Sequence, residues 1–470
     1  MWGQMSMKNK NKLVKDLQYC ISKYFNGLNF DEYNEKLFAD ISDDNFMQKL
    51  EVLCTSLQKS VDFANPMYLA HMVVVPTPYS LLAFYLGSLM NQNQHAFESS
   101  PSTTNMEFET IMSICKLFEY PENSWGHFTS GGTLANLEAA WLTRKKYGNK
   151  LKILFASTAH ISWKRICDIT NVDYKIINVN QNFQIDLNHL LNEINIAKNN
   201  KENLLVVASL GTTGCGAIDP IDEICEMKKE YNFSLHIDAA WGGFFKVLET
   251  DNILDIDVKK KFKAIKEADS ITVDPHKQGY IPYGCGTVIY RDSSLRNEIL
   301  HNAPYTFTLN NNLGQISLEG SRNGAYAASC WLNFQVLPLT NSGMGKIYRR
   351  LLEQTIYFKR LIIQNGFKLL TEPEMNIICF YPEGKSLSEI NEKSQRVIDA
   401  CSIKNSNKGY PVLSKYTTDD NNFISRIGYE LDENSITSIR CVISKLYWDE
   451  AEWKSICARV MERIKLLLQE

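Results

Sequence analysis

The sequence Val273-Asp274-Pro275-His276-Lys277-Gln278-Gly279-Tyr280 places a lysine between two short apolar runs, residues 271–273 and 286–290. Most lysines are solvated surface charges. The residues that follow this one, Gly279-Tyr280-Ile281-Pro282-Tyr283, are not a surface composition, which predicts partial burial on the connection between two strands. Burial lowers the pKa of an amine and so favours its nucleophilic form. Lys277 is therefore a candidate reactive lysine.

The segment His236-Ile237-Asp238-Ala239-Ala240-Trp241-Gly242-Gly243 carries a second candidate. Asp238 follows the apolar residues Leu235 and Ile237, which predicts a carboxylate at the carboxyl end of a buried strand. Burying it is costly unless a cation pairs with it, and a protonated pyridine ring is such a cation. Pairing with an arginine, or capping a helix, is the alternative. The small side chain of Ala240 favours a flat ring beside it.

A lysine and an aspartate of this kind are the two groups that pyridoxal 5'-phosphate chemistry requires. The lysine amine condenses with the aldehyde of the cofactor, and the carboxylate keeps the pyridine nitrogen protonated. Lys277 and Asp238 together predict a covalently bound cofactor.

Composition narrows the class of protein. The chain has 470 residues, of which 44% are apolar and 22% charged, and its net charge of −3 gives no general attraction to nucleic acid or anionic lipid. Twelve cysteines without C-x-x-C spacing predict free thiols in a reducing compartment and no metal site. The apolar stretch 81–90 is about half the length that crosses a bilayer, and the N-terminus lacks the apolar core of a signal peptide. We expect a cytoplasmic protein without a membrane or nucleic-acid partner.

The central part of the chain alternates between strand and helix patterns. Helices are predicted at 106–118, 133–146, 187–197 and 221–231, and strands at 151–157, 204–210, 234–239, 271–273 and 286–290. This alternation predicts an α/β fold, with a mostly parallel sheet and helices on both faces. Ligands bind at the carboxyl ends of the strands in such sheets.

The two ends of the chain have a different character. Helical patterns at 13–25 and onward to residue 60 predict an N-terminal helical segment, and a long helix at 345–365 with strands at 377–381 and 439–443 predicts a small C-terminal α+β domain. The polar runs 198–203 and 404–422 are predicted to be loops. The expected division is 1–75, 76–340 and 341–470.

Three further segments end predicted strands or open predicted helices. Thr129-Ser130-Gly131-Gly132-Thr133 opens a helix, where glycines and free backbone amides form an anion site, although an ordinary glycine-rich helix start is the alternative. His160 follows the strand 151–157 and could stack on the cofactor ring, unless it is a plain loop histidine. Gly211-Thr212-Thr213-Gly214 places hydroxyl groups at the same sheet edge, or is an ordinary turn.

In this combination the chain resembles the group II pyridoxal-phosphate-dependent amino acid decarboxylases, from about residue 65 to the last strand. The resemblance implies fold type I, the aspartate aminotransferase-like fold, with a seven-stranded sheet in the large domain. It also implies cofactor contacts from Ser130, Gly131, Gly132, Thr133, His160, Thr212, Asp238, Ala240, His276 and Lys277.

Members of this family carry a mobile loop after the lysine, whose tyrosine reaches the active site of the partner subunit and protonates the reacting carbon. Tyr305, in Ala303-Pro304-Tyr305-Thr306-Phe307, lies at the matching distance, with a packed loop aromatic as the alternative. Gly320 and Ser321 resemble a phosphate contact from the neighbouring subunit. The resemblance therefore implies a homodimer with shared active sites, and catalytic roles for Lys277, Tyr305, His160 and Asp238.

Residues 274–283 and Leu318-Glu319-Gly320-Ser321-Arg322 look closest to bacterial tyrosine decarboxylases and archaeal tyrosine/aspartate decarboxylases. The implied reaction releases CO2 and a primary amine from an aromatic L-amino acid, with aspartate or glutamate as the alternative substrate. Arg440 fits the family's late strand, but Ile443-Ser444-Lys445 replaces the usual Met-Asn-Pro, which leaves substrate choice open. A lyase for phosphorylated sphingoid bases, an oxidative deaminase and a non-catalytic cofactor-binding homologue are weaker alternatives.

Overall fold

The computed structural model describes residues 7–25, 43–307 and 313–469. The α-helices in these residues are α1 (Met7–Tyr24), α2 (Asp43–Leu57), α3 (Pro78–Met90), α4 (Pro101–Leu117), α5 (Gly132–Tyr147), α6 (Ser162–Thr170), α7 (Leu187–Asn199), α8 (Ile221–Tyr231), α9 (Ile256–Ala264), α10 (Ala325–Val336), α11 (Met344–Gln364), α12 (Leu387–Ala400), α13 (Asn421–Ile424) and α14 (Glu450–Gln469). The strands are β1 (Trp125–Thr129), β2 (Leu151–Ala156), β3 (Asp173–Ile177), β4 (Asn203–Ser209), β5 (Ser234–Asp238), β6 (Ser270–Val273), β7 (Gly286–Tyr290), β8 (Lys368–Leu369), β9 (Ile377–Tyr381), β10 (Ser414–Thr418) and β11 (Ile436–Val442).

The large sheet has seven strands in the order β1-β7-β6-β5-β4-β2-β3. Neighbours from β6 to β3 pair in parallel, whereas β7 is antiparallel to both β6 and β1. The predicted mostly parallel seven-stranded sheet is confirmed. Because β2, β4, β5 and β6 run in one direction, the segments that follow them meet at one edge of the sheet.

Helices cover both faces of this sheet. On β4, Val206 packs into the largest apolar cluster, whereas the next residue, Val207, packs with Trp163 of α6 on the opposite face. A strand buried on both faces needs apolar residues at consecutive positions, which explains the run Leu204-Leu205-Val206-Val207-Ala208.

The sequence did not predict β1 or β3. β1 contains Gly126 and His127 within five residues, so its strand signal is weak. A Cβ at Gly126 would overlap the carbonyl oxygen of Val288 on β7, so close strand packing requires glycine there. β3 is an edge strand whose first three residues are exposed, and its sequence Asp-Tyr-Lys-Ile-Ile therefore lacks a buried pattern.

A second, antiparallel sheet has the order β10-β11-β9-β8. Its core includes Phe358 of α11, Val397 of α12 and Trp453 of α14. The loop predicted at 404–422 is wrong in part, because this segment contains β10 and the start of α13. β10 buries Ser414 and Thr418 and exposes Lys415 and Thr417. Its composition is polar on both faces, so the sequence has no apolar pattern that predicts a strand.

Helices α1 and α2 lie in the segment predicted to be helical, although residues 26–42 between them fall outside the described residues. Within the described ranges, none of the helices is both long and apolar enough to cross a membrane. The predicted domain boundaries after residues 75 and 340 stay predictions.

Arg440 on β11 joins the small sheet to the large one. Its guanidinium is buried and donates to the carbonyl oxygens of Thr213 (2.7 Å) and Gly214 (2.7 Å) in the turn after β4. It also donates to the carbonyl oxygen of Ala70 (2.8 Å) and to Ser414 Oγ (3.1 Å) on β10. A single side chain thus ties three separate segments to the edge where β4 ends.

Replacing Arg440 with methionine should destabilise the protein by about 3 kcal/mol or more, because several buried acceptors lose their donor and each costs about 1–3 kcal/mol. Urea unfolding monitored by circular dichroism measures this loss. The matched control is Lys415→Met, an exposed cation on neighbouring β10, which should stay within about 0.5 kcal/mol of the wild type. We call these hydrogen bonds of Arg440 the Arg440 clamp. An unchanged unfolding midpoint for Arg440→Met would show that the clamp does not stabilise the fold.

Candidate active site

A cavity of about 330 Å³ opens at the carboxyl edge of the large sheet. Its walls come from the N-terminus of α5 and from the segments that follow β2, β4, β5 and β6. Ten of the residues predicted to contact a cofactor line it together: Ser130, Gly131, Gly132, Thr133, His160, Thr212, Asp238, Ala240, His276 and Lys277. The strand directions therefore assemble residues that lie up to 147 positions apart, from 130 to 277.

Asp238 is the last residue of β5, and its side chain is nearly buried. Oδ2 accepts hydrogen bonds from Asn136 Nδ2 (2.8 Å) and Trp163 Nε1 (3.2 Å), while Oδ1 accepts only a long bond from the Ala240 amide (3.3 Å). No lysine or arginine in the described part of the chain forms an ion pair with it within 4.0 Å. Neutral donors hold this carboxylate, and it keeps acceptor capacity on the cavity side.

A chain of hydrogen bonds behind Asp238 fixes its orientation. Asn136 must turn its amide nitrogen toward the carboxylate, so its Oδ1 faces His236 Nε2 at 3.0 Å. Nε2 of His236 therefore carries the hydrogen, and Nδ1 accepts from Ser270 Oγ at 2.8 Å. Burial lowers the pKa of His236 to about 4 despite the nearby Asp238 carboxylate, so the ring is neutral at pH 7.

The Lys277 side chain is 18% exposed, and its Nζ lies 3.0 Å from Asp274 Oδ2. Burial lowers the pKa of this amine, but the charges of Asp274 and Asp238 and the hydrogen bond that Lys277 donates to Asp274 raise it by more. The net pKa lies above the ordinary value. The prediction that burial leaves a low-pKa amine is therefore wrong for the free side chain, because a carboxylate three residues earlier pairs with it.

His276 lies beside this pair, with Nε2 3.5 Å from Asp274 Oδ2 and its ring 4.2 Å from the ring of Tyr283. Burial lowers the pKa of His276, against the opposing effect of Asp274. His276 Nδ1 and Asp274 Oδ1 are both buried, and neither has a hydrogen-bond partner among the described residues. Orphaned polar atoms of this kind on a cavity wall indicate a polar ligand.

The N-terminus of α5 adjoins Asp274 and His276 on the cavity wall. Gly131 has φ +153°, and a Cβ on Gly132 would come within 2.9 Å of Asp274 Oδ2, so both glycines allow a close approach of backbone to the β6 end. The first amides of a helix have no intrahelical acceptor and attract anions. This wall is suited to a phosphate group.

His160, Thr212 and Ala240 complete the walls. His160 Nδ1 accepts from the Ser162 amide (3.3 Å), and burial lowers the pKa of its ring, so it is a neutral flat surface. Thr212 Oγ1 accepts from the Ala217 amide (3.0 Å) and thereby holds its own turn. Ala240 donates its amide to Asp238.

Tyr305, Gly320 and Ser321 do not line this cavity. Tyr305 is 77% exposed, with its ring stacked 6.4 Å from that of His95. Ser321 Oγ accepts from Asn93 Nδ2 (3.1 Å). Their predicted role, in the site of a second subunit, stays a prediction.

Sequence reasoning assigned no role to Asn136, Trp163, His236, Asp274 or Tyr283. A signal existed for His236, because residues two apart on a strand share a face, which places it beneath Asp238. Asn136 lies three residues after the quoted segment 129–133, and its partner Asp238 lies 102 residues away on another element. No local pattern reports such a contact.

These residues fit pyridoxal phosphate. An accepting carboxylate, Asp238, a lysine amine at Lys277 and an anion-binding helix start at Gly131 and Gly132 surround one cavity, which is the donor set that the ring nitrogen, aldehyde and phosphate of that cofactor need. The orphaned nitrogen of His276 lies on the same wall.

The comparisons with known proteins agree. Residues 39–382 match the model of the pyridoxal-dependent decarboxylase conserved domain, so the chain belongs to the pyridoxal-dependent decarboxylases. The predicted family, fold type I, enzyme class of amino acid decarboxylase and pyridoxal 5'-phosphate cofactor are confirmed.

Individual relatives are similar along most of the chain. An L-tyrosine decarboxylase of Enterococcus faecium is 27% identical, across 79% of this chain and 80% of that protein. An aspartate 1-decarboxylase of Aliivibrio fischeri is 30% identical, across 70% of this chain and 66% of that protein. The solved structure of Oryza sativa TDC with PLP and tryptamine has a TM-score of 0.77 at 15% identity and covers 99% of each chain, which supports the fold.

The neutral state of His236 predicts a pH dependence of stability. The pKa of this group falls from 6.5 to about 4 on folding, so its contribution is present above pH 6.5 and is lost as the pH falls toward 4. Between pH 7 and pH 4.5 the loss is about 2–3 kcal/mol, measured by urea unfolding. His236→Gln keeps a donor for Asn136 but has no titrating ring, so its unfolding free energy should fall by about 2–3 kcal/mol less than that of the wild type over this pH range. The exposed control His301→Gln should show the same pH dependence as the wild type. Equal pH dependence in wild type and His236→Gln would refute this.

Proposed function

We propose that this amino acid decarboxylase acts on an aromatic L-amino acid, with tyrosine as the type of substrate. The supporting observation is the charge of the cavity. Among its described lining residues Lys277 is the only lysine or arginine, and it pairs with Asp274. Burial lowers the pKa of both His160 and His276. Among the described lining residues of one subunit, an acidic substrate would find no unpaired lysine or arginine for its second carboxylate. Arg440, which is not a lining residue, donates to backbone and serine oxygens.

Ring surfaces favour an aromatic side chain at the same place. Tyr283 and Trp241 line the cavity; Tyr283 is 61% exposed beside His276, whereas Trp241 is almost fully buried. The similarity to an L-tyrosine decarboxylase supports this substrate class. The 30% identity to an aspartate 1-decarboxylase keeps an acidic substrate as the second candidate.

The residues of the cavity divide the work of holding the cofactor. Lys277 would hold the aldehyde end through its amine, Asp238 would hold the ring nitrogen, and His160 and Ala240 would flank the ring. The amides of residues 130–133, Thr212 and His276 would hold the phosphate end, since all of these residues line the cavity. When bound, pyridoxal phosphate accepts the electrons that are released as the bond between the α-carbon and the carboxylate breaks.

Protein groups then control protons and orientation. Asp238 Oδ1 would keep a proton on the ring nitrogen of the bound cofactor, because the hydrogen-bond donors to this carboxylate are neutral and a protonated ring would give it a cation. The cavity walls would orient the bound substrate. Tyr305 donates a proton from its phenolic oxygen to the α-carbon, in the cavity of a second subunit.

The assembly that follows is a homodimer with shared active sites. Tyr305 is highly exposed, and Gly320 and Ser321 lie outside the cavity of their own chain, so they are available to a partner. We place the protein in the cytoplasm, as its composition suggests. We propose three parts of the chain, an N-terminal helical segment (1–75), a large domain (76–340) and a small C-terminal domain (341–470).

Incubating the protein and cofactor with tyrosine, phenylalanine, DOPA, aspartate and glutamate, and measuring CO2 and amine, tests the substrate class. Aromatic substrates should turn over at least about tenfold faster in kcat/KM than acidic ones, since an unpaired buried carboxylate costs more than 1.4 kcal/mol. Activity confined to aspartate or glutamate would overturn the aromatic assignment.

A further inference from the structure

A carboxylate of the chain itself occupies the start of the anion-binding loop. Glu319 Oε2 accepts from the Ser130 amide at 2.8 Å, and Oε1 accepts from the Ser130 hydroxyl. Ser130 lines the cavity and precedes the glycines at the start of α5. Both donors of Ser130 are therefore taken by an anion.

Buried contacts on both sides hold Glu319 in this place. The Leu318 amide donates to Glu138 Oε2 at 2.8 Å, and Glu138 is itself buried against His127. On the other side, Arg322 pairs with buried Glu107 at 2.5 Å and donates to the Phe128 carbonyl oxygen at 2.8 Å. The backbone of residues 318–322 is fixed on either side of the carboxylate, so the contact with Ser130 is part of the fold.

The charge of Glu319 opposes that of a phosphate. Glu319 binds the amide and hydroxyl of Ser130, directly before the N-cap Gly131, and a phosphate at residues 130–133 would be an anion beside it. Like charges within a few ångströms repel. A phosphate held by residues 130–133 either shares the loop with this carboxylate or displaces it from Ser130.

We propose that Glu319 competes with the cofactor phosphate and lowers the affinity of the protein for pyridoxal 5'-phosphate, so that the cofactor exchanges. This inference depends on the proposed placement of the phosphate at residues 130–133. If Glu319 only ordered the loop, its loss would weaken cofactor binding. If Glu319 competes with the phosphate, its loss should strengthen cofactor binding.

Glu319→Gln removes the charge and keeps the shape: the amide oxygen of glutamine can accept from the Ser130 amide, and its NH2 group can donate to the Ser130 hydroxyl oxygen. Cofactor-free protein is titrated with pyridoxal 5'-phosphate, and binding is followed by absorbance and by quenching of tryptophan fluorescence. The Kd of Glu319→Gln should be about 5- to 10-fold lower than that of the wild type, and the difference should shrink in high salt. Glu226→Gln, an exposed glutamate of α8, is the matched control and should leave the Kd unchanged.

Pyridoxal, which lacks the phosphate, is the second probe. Its Kd should be the same for wild type and Glu319→Gln, because the repulsion acts on the phosphate. A Kd for pyridoxal 5'-phosphate that is unchanged or higher in Glu319→Gln, or a parallel tightening for pyridoxal, would overturn the proposal.

Thr133→Val tests whether the phosphate binds at residues 130–133, separately from whether Glu319 competes with it. Thr133 lines the cavity in the same loop, so its loss should raise the Kd for pyridoxal 5'-phosphate and leave that for pyridoxal unchanged. If Thr133→Val changes neither Kd, the phosphate lies elsewhere and the role of Glu319 falls with it.

Discussion

A buried carboxylate held by neutral donors is the constraint on which the rest of the site depends. Asp238 sits at the end of the central strand β5, where burial penalises a charge that has no cationic partner. Asn136 and Trp163 stabilise it by hydrogen bonds but do not neutralise it. With the cofactor placed as we propose, a protonated ring nitrogen would offset this cost, and this is the protonation state that makes the pyridine ring an effective electron acceptor.

The sheet and the hydrogen-bond chain make this arrangement rigid. The common direction of β2, β4, β5 and β6 brings His160, Thr212, Asp238 and Lys277 to one edge. The chain from Ser270 through His236 and Asn136 spans two strands and a helix, so the carboxylate cannot rotate without breaking several buried bonds. The Arg440 clamp ties the turn after β4 to the small sheet. The orientation of the Asp238 carboxylate is therefore built into the fold.

The sequence predicted residues whose position follows from strand ends. Lys277, Asp238 and His160 each adjoin an apolar run, and parallel strands bring such residues together, so their grouping could be inferred. The strand β10 could not be predicted, because its Ser, Lys, Tyr and Thr residues give no apolar face. Partners such as Asn136, which contacts Asp238 from 102 residues away, depend on how α5 packs over the sheet. The raised pKa of Lys277 depends on the turn that returns its amine to Asp274, and a carboxylate three residues earlier was the available signal.

We propose that one amine, that of Lys277, holds the cofactor while Asp238 holds the opposite end of the ring. The most direct measurement is borohydride reduction of the protein loaded with pyridoxal 5'-phosphate, followed by proteolysis and mass spectrometry of the labelled peptides. If Lys277 binds the cofactor aldehyde, a single pyridoxyl label is expected, on Lys277. A label on another lysine, or no label and no cofactor absorbance, would contradict it.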